Sequence, residues 1–191
     1  MDDEALRRRI EAYLEAAEDY MTEGDRHRAY MEFEKAAATL EAAGERDQLE
    51  QLWGHAAAGF IGAQAHFQAG HSYLHLASVE AVAGRSADAR ESYLAAANAF
   101  ATARDKTQDT WVAITQAVEQ AIELSILLGE APMAIDLLAK CAAIHQRETG
   151  FTLDAINCLE RAQKLLELVP NHPLASKIGK RLQALIDSGG R

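Results

Sequence analysis

The sequence predicts an all-α fold: an antiparallel helical-hairpin array of the α-solenoid type, with about eight or nine helices and a C-terminal capping helix. Three observations carry this expectation. The 191 residues are 49% hydrophobic and contain only three prolines and few aromatics, a composition that suits helices. Gly24, Gly44, Gly84, Gly129 and Gly150 each follow a helical pattern, at the point where a left-handed C-cap is required. Between these marks apolar residues recur at three and four, the period of one buried helical face.

Taken in order, the first helix carries Leu6, Ile10, Tyr13, Leu14, Ala17 and Met21, and the second Ala29, Phe33, Ala36, Ala37 and Leu40. Both have charged outer faces. The interval from Gly44 to Gly84 is twice as long as its neighbours. Within it, residues 51–79 hold no Asp, Glu, Lys or Arg, yet four of the seven histidines and four of the twelve glycines. Leu49, Leu52, Trp53, Ala56, Phe60, Ala63, Phe67, Gly70, Leu74 and Ala77 keep the three-four alternation, which favours one long helix over residues 46–83. Gly54, Gly59, Gly62 and Gly70 favour two helices, broken near Gly70, since each glycine costs about 1 kcal/mol relative to alanine. Both readings stand at this point.

Residues 86–104 and 107–128 form the next pair, with a break near Asp105, and 131–148 and 152–168 another. Pro170 and Pro173 set off a last helix striped by Leu174, Ile178, Leu182, Leu185 and Ile186. The expected organisation is a repeat domain over 1–170, a capping helix over 171–188 and a frayed tail at 189–191.

Aligning the chain on its glycines exposes a repeat. Tyr13, Ala16, Ala17, Tyr20, Gly24, Ala29, Phe33 and Ala36 are matched by Tyr73, Leu76, Ala77, Glu80, Gly84, Ala89, Tyr93 and Ala96. A weaker match runs through Val118, Ala121, Ile122, Ser125, Gly129, Ala134, Leu138 and Cys141, and Gly150, Ala155, Leu159 and Ala162 repeat the second half alone. This pattern resembles the tetratricopeptide repeat (TPR), whose small and bulky positions let helix pairs stack. Offsets between units are uneven, so the helices are longer than in the standard repeat. The phrases AYLEAAEDYMTEGDRHRAYMEFEKAAATLEAAGE and HLASVEAVAGRSADARESYLAAANAFATARD resemble the long-helix variant in soluble NSF attachment proteins (SNAP-like). That resemblance implies an adaptor that grips coiled-coil complexes for an AAA-type ATPase.

In such an array the uncharged stretch is expected to be a helix enclosed by others, because unpaired charge is costly away from water. Net charge is −10, with 15 acids against 7 bases in residues 1–50 and 4 against 6 in residues 151–191. Nucleic-acid binding is therefore disfavoured, and a basic partner suits the N-terminal half. The stretch 51–79 is long enough to span a bilayer, but His55, His66, His71, His75, Gln51, Gln64 and Gln68 interrupt it, so stable membrane insertion is not expected. The acidic start MDDEALRRRI lacks the pattern of a signal peptide. Cys141 and Cys158 sit on apolar helical faces and read as small buried residues. A reducing, cytoplasmic setting follows as the expectation.

No motif for catalysis is present: there is no HExxH, GxSxG, phosphate-binding loop or dinucleotide fingerprint, and neither cysteine has an identifiable activating base. The expected function is a non-catalytic interaction scaffold that needs no cofactor. Its groove would hold a peptide, helix or protein, basic or helical in character, and a second copy of the chain is an admissible partner. The contact residues expected are Gln64, His66, Gln68, His71, Tyr73 and His75, which combine partial burial with directional hydrogen bonding. His71 and His75, four apart, also have metal-ligand spacing, so a metal or ligand sensor is the competing expectation. Against it stands the commoner role of such histidines in helix contacts. The acids Glu11, Glu15, Glu18, Asp19, Glu23, Glu32, Glu34 and Glu41 read as a solvated face first and a docking strip second. Lys177, Lys180 and Arg181 form a small basic face on the capping helix, in the ATPase reading the contact surface.

Overall fold

The computed structural model describes residues Asp3–Gly189. The described residues form nine α-helices and no strand: α1 (Asp3–Glu23), α2 (Arg26–Ala43), α3 (Arg46–Gly62), α4 (His66–Val82), α5 (Ser86–Thr102), α6 (Gln108–Leu127), α7 (Ala131–Ile144), α8 (Thr152–Leu166) and α9 (Ala175–Gly189). A single π-helical turn, His145–Thr149, continues α7. Each helix packs on the next. Gly190 and Arg191, part of the tail expected to fray, lie outside the described residues, whereas Gly189 belongs to α9.

The helix ends follow from backbone chemistry. Gly24, Gly44, Gly84, Gly129 and Gly150 all have positive φ, between 72° and 82°, a conformation that glycine adopts without a Cβ penalty. At Gly44 and Gly84 the amide of the glycine and that of the following residue turn back onto the last helical carbonyls, which satisfies groups the helix end would otherwise leave open. The break near Asp105 is built differently. Thr107 caps α6 by accepting a hydrogen bond from the Thr110 amide, while the Thr110 hydroxyl oxygen accepts one from the Thr107 amide.

The long Gly44–Gly84 interval resolves into two helices, and they part at Ala63–Ala65, not at Gly70 as the glycine argument had it. Gln64, midway between the two glycines, has φ +56°, the one positive φ outside glycine among the described residues. Its amide bonds to the Ile61 carbonyl and the Ala65 amide to the Phe60 carbonyl, the same pair of bonds that closes the glycine turns. Gly70 lies inside α4, buried, where the ring of Phe100 from α5 occupies the space a Cβ would take.

The core runs along the array as two adjoining clusters. One is centred on Phe33, Leu40, Trp53 and Phe60 of α2 and α3, the other on Phe100, Ile122, Ile135, Leu138 and Leu159 of α5 to α8. Tyr73 packs against both and so ties them together. Ion pairs repeat along the chain: Arg85 at the start of α5 with Glu50 on α3, and Glu130 at the start of α7 with Arg90 on α5. His172, before α9, lies 3.6 Å from Asp136 on α7. Each joins one hairpin to the next at an equivalent place. α9 covers the end of the array with Ile178, Leu182 and Leu185 buried, and Arg181 anchors it through the Ala142 carbonyl and Gln146.

Candidate partner-binding site

The uncharged stretch is not enclosed as expected. α3 and α4 each bury one face and leave another open, with Ile61 39% and Phe67 42% exposed and His55, His75 and Ser78 also exposed. Two helices stacked in a two-layer array have a solvent side, and here that side carries neutral groups.

On α4, Phe67, His71 and His75 recur at i, i+4 and i+8 and so share one face. Opposite them stand Tyr30 of α2 and Trp53 of α3. The His75 imidazole stacks on the Trp53 indole with centroids 4.3 Å apart and planes 13° from parallel. Its Nε2 lies 3.1 Å from the Tyr30 hydroxyl. His71 meets Phe67 edge-on at 4.7 Å, Phe100 at 5.0 Å and Tyr30 at 6.0 Å. Trp53 is itself buried, and its indole N–H meets no acceptor.

Electrostatics keep this face neutral. Partial desolvation against the Trp53 indole lowers the pKa of His75 from the ordinary histidine value, against the opposing pull of Glu34 and Glu41. The same holds for His71, where burial acts first, His75 adds to the lowering and Glu34 opposes it. The Tyr30 phenol is pushed above its ordinary range by burial, by the charge of Glu34 and by a hydrogen bond to that carboxylate. His75 and Tyr30 thus form a polar pair at the edge of an aromatic surface, under the charge of Glu34.

The six residues expected from sequence separate. His71 and His75 come together on the aromatic face. Gln64 lies in the α3–α4 turn, His66 opens α4 with a buried Nδ1 that has no partner, and Tyr73 is half-buried between the core clusters. Gln68 is half-buried, and its carbonyl accepts from Ser72. Tyr30, Trp53 and Phe67 were missed as site residues: Trp53 and Phe67 read as core at helical spacing, and nothing local in the sequence brings Tyr30 across to α4. No third ligand joins His71 and His75 among the described residues. Among the described residues, the His, Cys and carboxylate side chains that converge in threes are Cys141, His145 and Cys158 instead.

The model of the family "Soluble NSF attachment protein, SNAP" matches residues 47–185, from the start of α3 into α9. The chain belongs to the soluble NSF attachment protein family. Its fold is shared more widely. TPR-like repeats of a protein described as a kinesin light chain from Podosopora anserina superpose with a TM-score of 0.50 at 15% identity, covering 96% of this chain and 97% of that one. BtubC (BKLC) from P. vanneervenii superposes with a TM-score of 0.50 at 12% identity, covering 97% and 92%. Identities this low speak for the fold alone. No curated protein matches the chain as a relative. The family match and the fold agree on a TPR-like helical repeat protein, the architecture its glycine spacing predicts. No helix among the described residues is long and apolar enough to cross a membrane.

Proposed function

We propose that this family member is a non-catalytic interaction scaffold that holds a peptide or helix of a protein partner against the α2–α4 face. The observation that supports this is the neutral stripe of exposed Phe67 and His75 with half-buried His71 between them, beside Tyr30, on a chain that is otherwise a quarter charged. Aromatic and histidine side chains offer contact area at low entropic cost together with directional hydrogen bonds, the character of an interface core. Glu34 bears on both histidines and Glu41 on His75, so the ligand that fits has an apolar stripe edged by Lys or Arg.

Affinity capture from the native cell, followed by mass spectrometry, tests the reading when wild type is run beside Phe67→Ala/His71→Ala. Proteins held by wild type and lost by the variant, with helical circular dichroism unchanged, are the expected result. An identical captured set from both proteins would reject this face. Tyr73→Ala is unsuited to the purpose, since Tyr73 ties the two core clusters together.

Family membership favours a second reading, in which the chain serves an AAA-type ATPase through α9. The exposed bases there are Lys177 and Lys180, while Arg181 is held by Gln146 and the Ala142 carbonyl. Lys177→Glu/Lys180→Glu leaves the buried stripe of α9 intact and is preferable to deleting the helix. Loss of ATPase association in that variant supports this reading, and retention removes α9 as the contact.

A further inference from the structure

Away from the aromatic face, α6, α7, the π-turn and α8 bring together four groups of metal-binding type. The ligating atoms of Cys141, His145 and Cys158 lie within 4.8 Å of one another. Glu119 reaches the same point, its Oε1 3.7 Å from the Cys141 sulfur and 3.6 Å from the Cys158 sulfur. We propose that Cys141, Cys158, His145 and Glu119 form a tetrahedral site for a divalent metal ion, with zinc the ion that fits the donor set.

The distances suit that geometry. Around a tetrahedral zinc with bonds of about 2.0–2.3 Å, neighbouring ligand atoms stand roughly 3.3–3.8 Å apart. The two sulfur–carboxylate edges are already at that length. Small side-chain rotations, chiefly of His145, close the rest of the set, whose Cys141, His145 and Cys158 atoms lie within 4.8 Å of one another. The ring has reason to move, because its Nδ1 is buried without a hydrogen-bond partner, and unpaired buried nitrogen is costly. His145 is also the first residue of the π-turn, a distortion often found at functional sites.

A supporting shell is in place. Arg161 donates from Nη1 to Glu119 Oε2 at 2.8 Å and from Nη2 to Glu123 at 2.5 Å. That holds one carboxylate oxygen away from the sulfurs and aims the other at them, the arrangement that orients metal ligands elsewhere. Charge balances as well: two thiolates and Glu119 around a dication leave one negative charge, which Arg161 faces. On metal binding, each coordinating thiol gives its proton to solvent. Entry is open, through a cleft of about 330 Å³ lined by Thr115, Glu119, His145 and Cys158 among others.

The test is cobalt titration of the reduced, metal-stripped full chain without oxygen. One equivalent should bind with thiolate-to-cobalt absorption in the near ultraviolet and tetrahedral visible bands, and zinc should displace it. Cys158→Ser and His145→Ala should each abolish the bands at stoichiometric cobalt while circular dichroism stays helical. Arg161→Gln, acting through Glu119, should weaken binding about tenfold or more. His71→Ala/His75→Ala should leave the spectrum unchanged. Absence of thiolate bands, bands that survive Cys158→Ser, or bands lost in the His71/His75 variant would each overturn the proposal. So would a reduced protein that binds no cobalt and whose two thiols close to a disulfide in air.

Discussion

The imidazole of His75 lies flat on the indole of Trp53, 4.3 Å between centroids, with the Tyr30 hydroxyl 3.1 Å from its Nε2. The pair joins the outer surface of α4 to the buried floor of α3. It places a titratable group where protonation disturbs packing as well as charge.

Acid should therefore loosen this face. His71 and His75 have folded-state pKa values below the ordinary one of about 6.5, chiefly through partial desolvation against their aromatic neighbours. The unfolded chain takes up these protons first, so their contribution is fully present above that value and is lost as pH falls through it toward the folded pKa. The melting temperature should fall between about pH 7.5 and pH 5.5 in wild type, and fall less in His71→Gln/His75→Gln. Equal slopes for the two proteins would remove the histidines as the cause.

Gly70→Ala should destabilise the array. A Cβ there would stand 2.7 Å from two carbons of the fully buried Phe100 ring. Helix propensity returns about 1 kcal/mol, and overpacking typically costs 1–3 kcal/mol, so a net loss on the order of 1 kcal/mol is expected by urea unfolding. Gly70→Ala/Phe100→Leu should recover part of it.

Gln64→Gly should act in the opposite sense. The left-handed conformation costs an L-residue about 1–2 kcal/mol, part of which glycine returns to greater freedom in the unfolded chain. A gain of about 0.5–1 kcal/mol is expected in equilibrium unfolding, with no change in helix content.

Glu80→Gln should stabilise the protein at neutral pH. Glu80 is buried, and its Oε2 has no partner. Burial raises its pKa, Glu50 and Asp88 add to this, and the bond from Ser92 and the charge of Arg85 oppose it. A raised carboxylate contributes stability that is fully present below its unfolded pKa and is lost as pH rises through the folded value. The variant should melt a few degrees higher near pH 7, consistent with about 1 kcal/mol, and lose that advantage near pH 4, where wild type is protonated too.

Glu130→Ala should cost more than Arg90→Met. The Arg90 side chain is 9% exposed and its partner 44%, so removing Glu130 strands a buried cation, whereas the methionine fills the space without charge. Losses of about 1–2 kcal/mol and under about 1 kcal/mol are expected in chemical denaturation, the first reduced because Glu130 is partly screened by solvent.

Much of the architecture was legible because it rests on local rules. Five glycines with positive φ sit where the helical patterns stop, and the stripes of α1, α2 and α9 bury most of the residues their spacing selects, although Ile186 stays 46% exposed. The α3–α4 break was not legible, because a glutamine stands where glycine is the signal and the apolar alternation runs through the turn. Of the candidate site, the histidine pair could be read as two residues one turn apart. Its aromatic partners could not, since Tyr30 lies 45 residues before His75.

By itself the sequence determined the helices, most of their ends and the all-α repeat class, which depend on interactions within a few residues: the period of apolar side chains, the freedom of glycine and the rigidity of proline. Only the tertiary structure decided which neutral residues stay in water and which polar groups meet. Trp53 beneath His75, and Cys141 and Cys158 beside Glu119, are meetings between separate helices. Their geometry depends on how the hairpins stack, and no local rule encodes that.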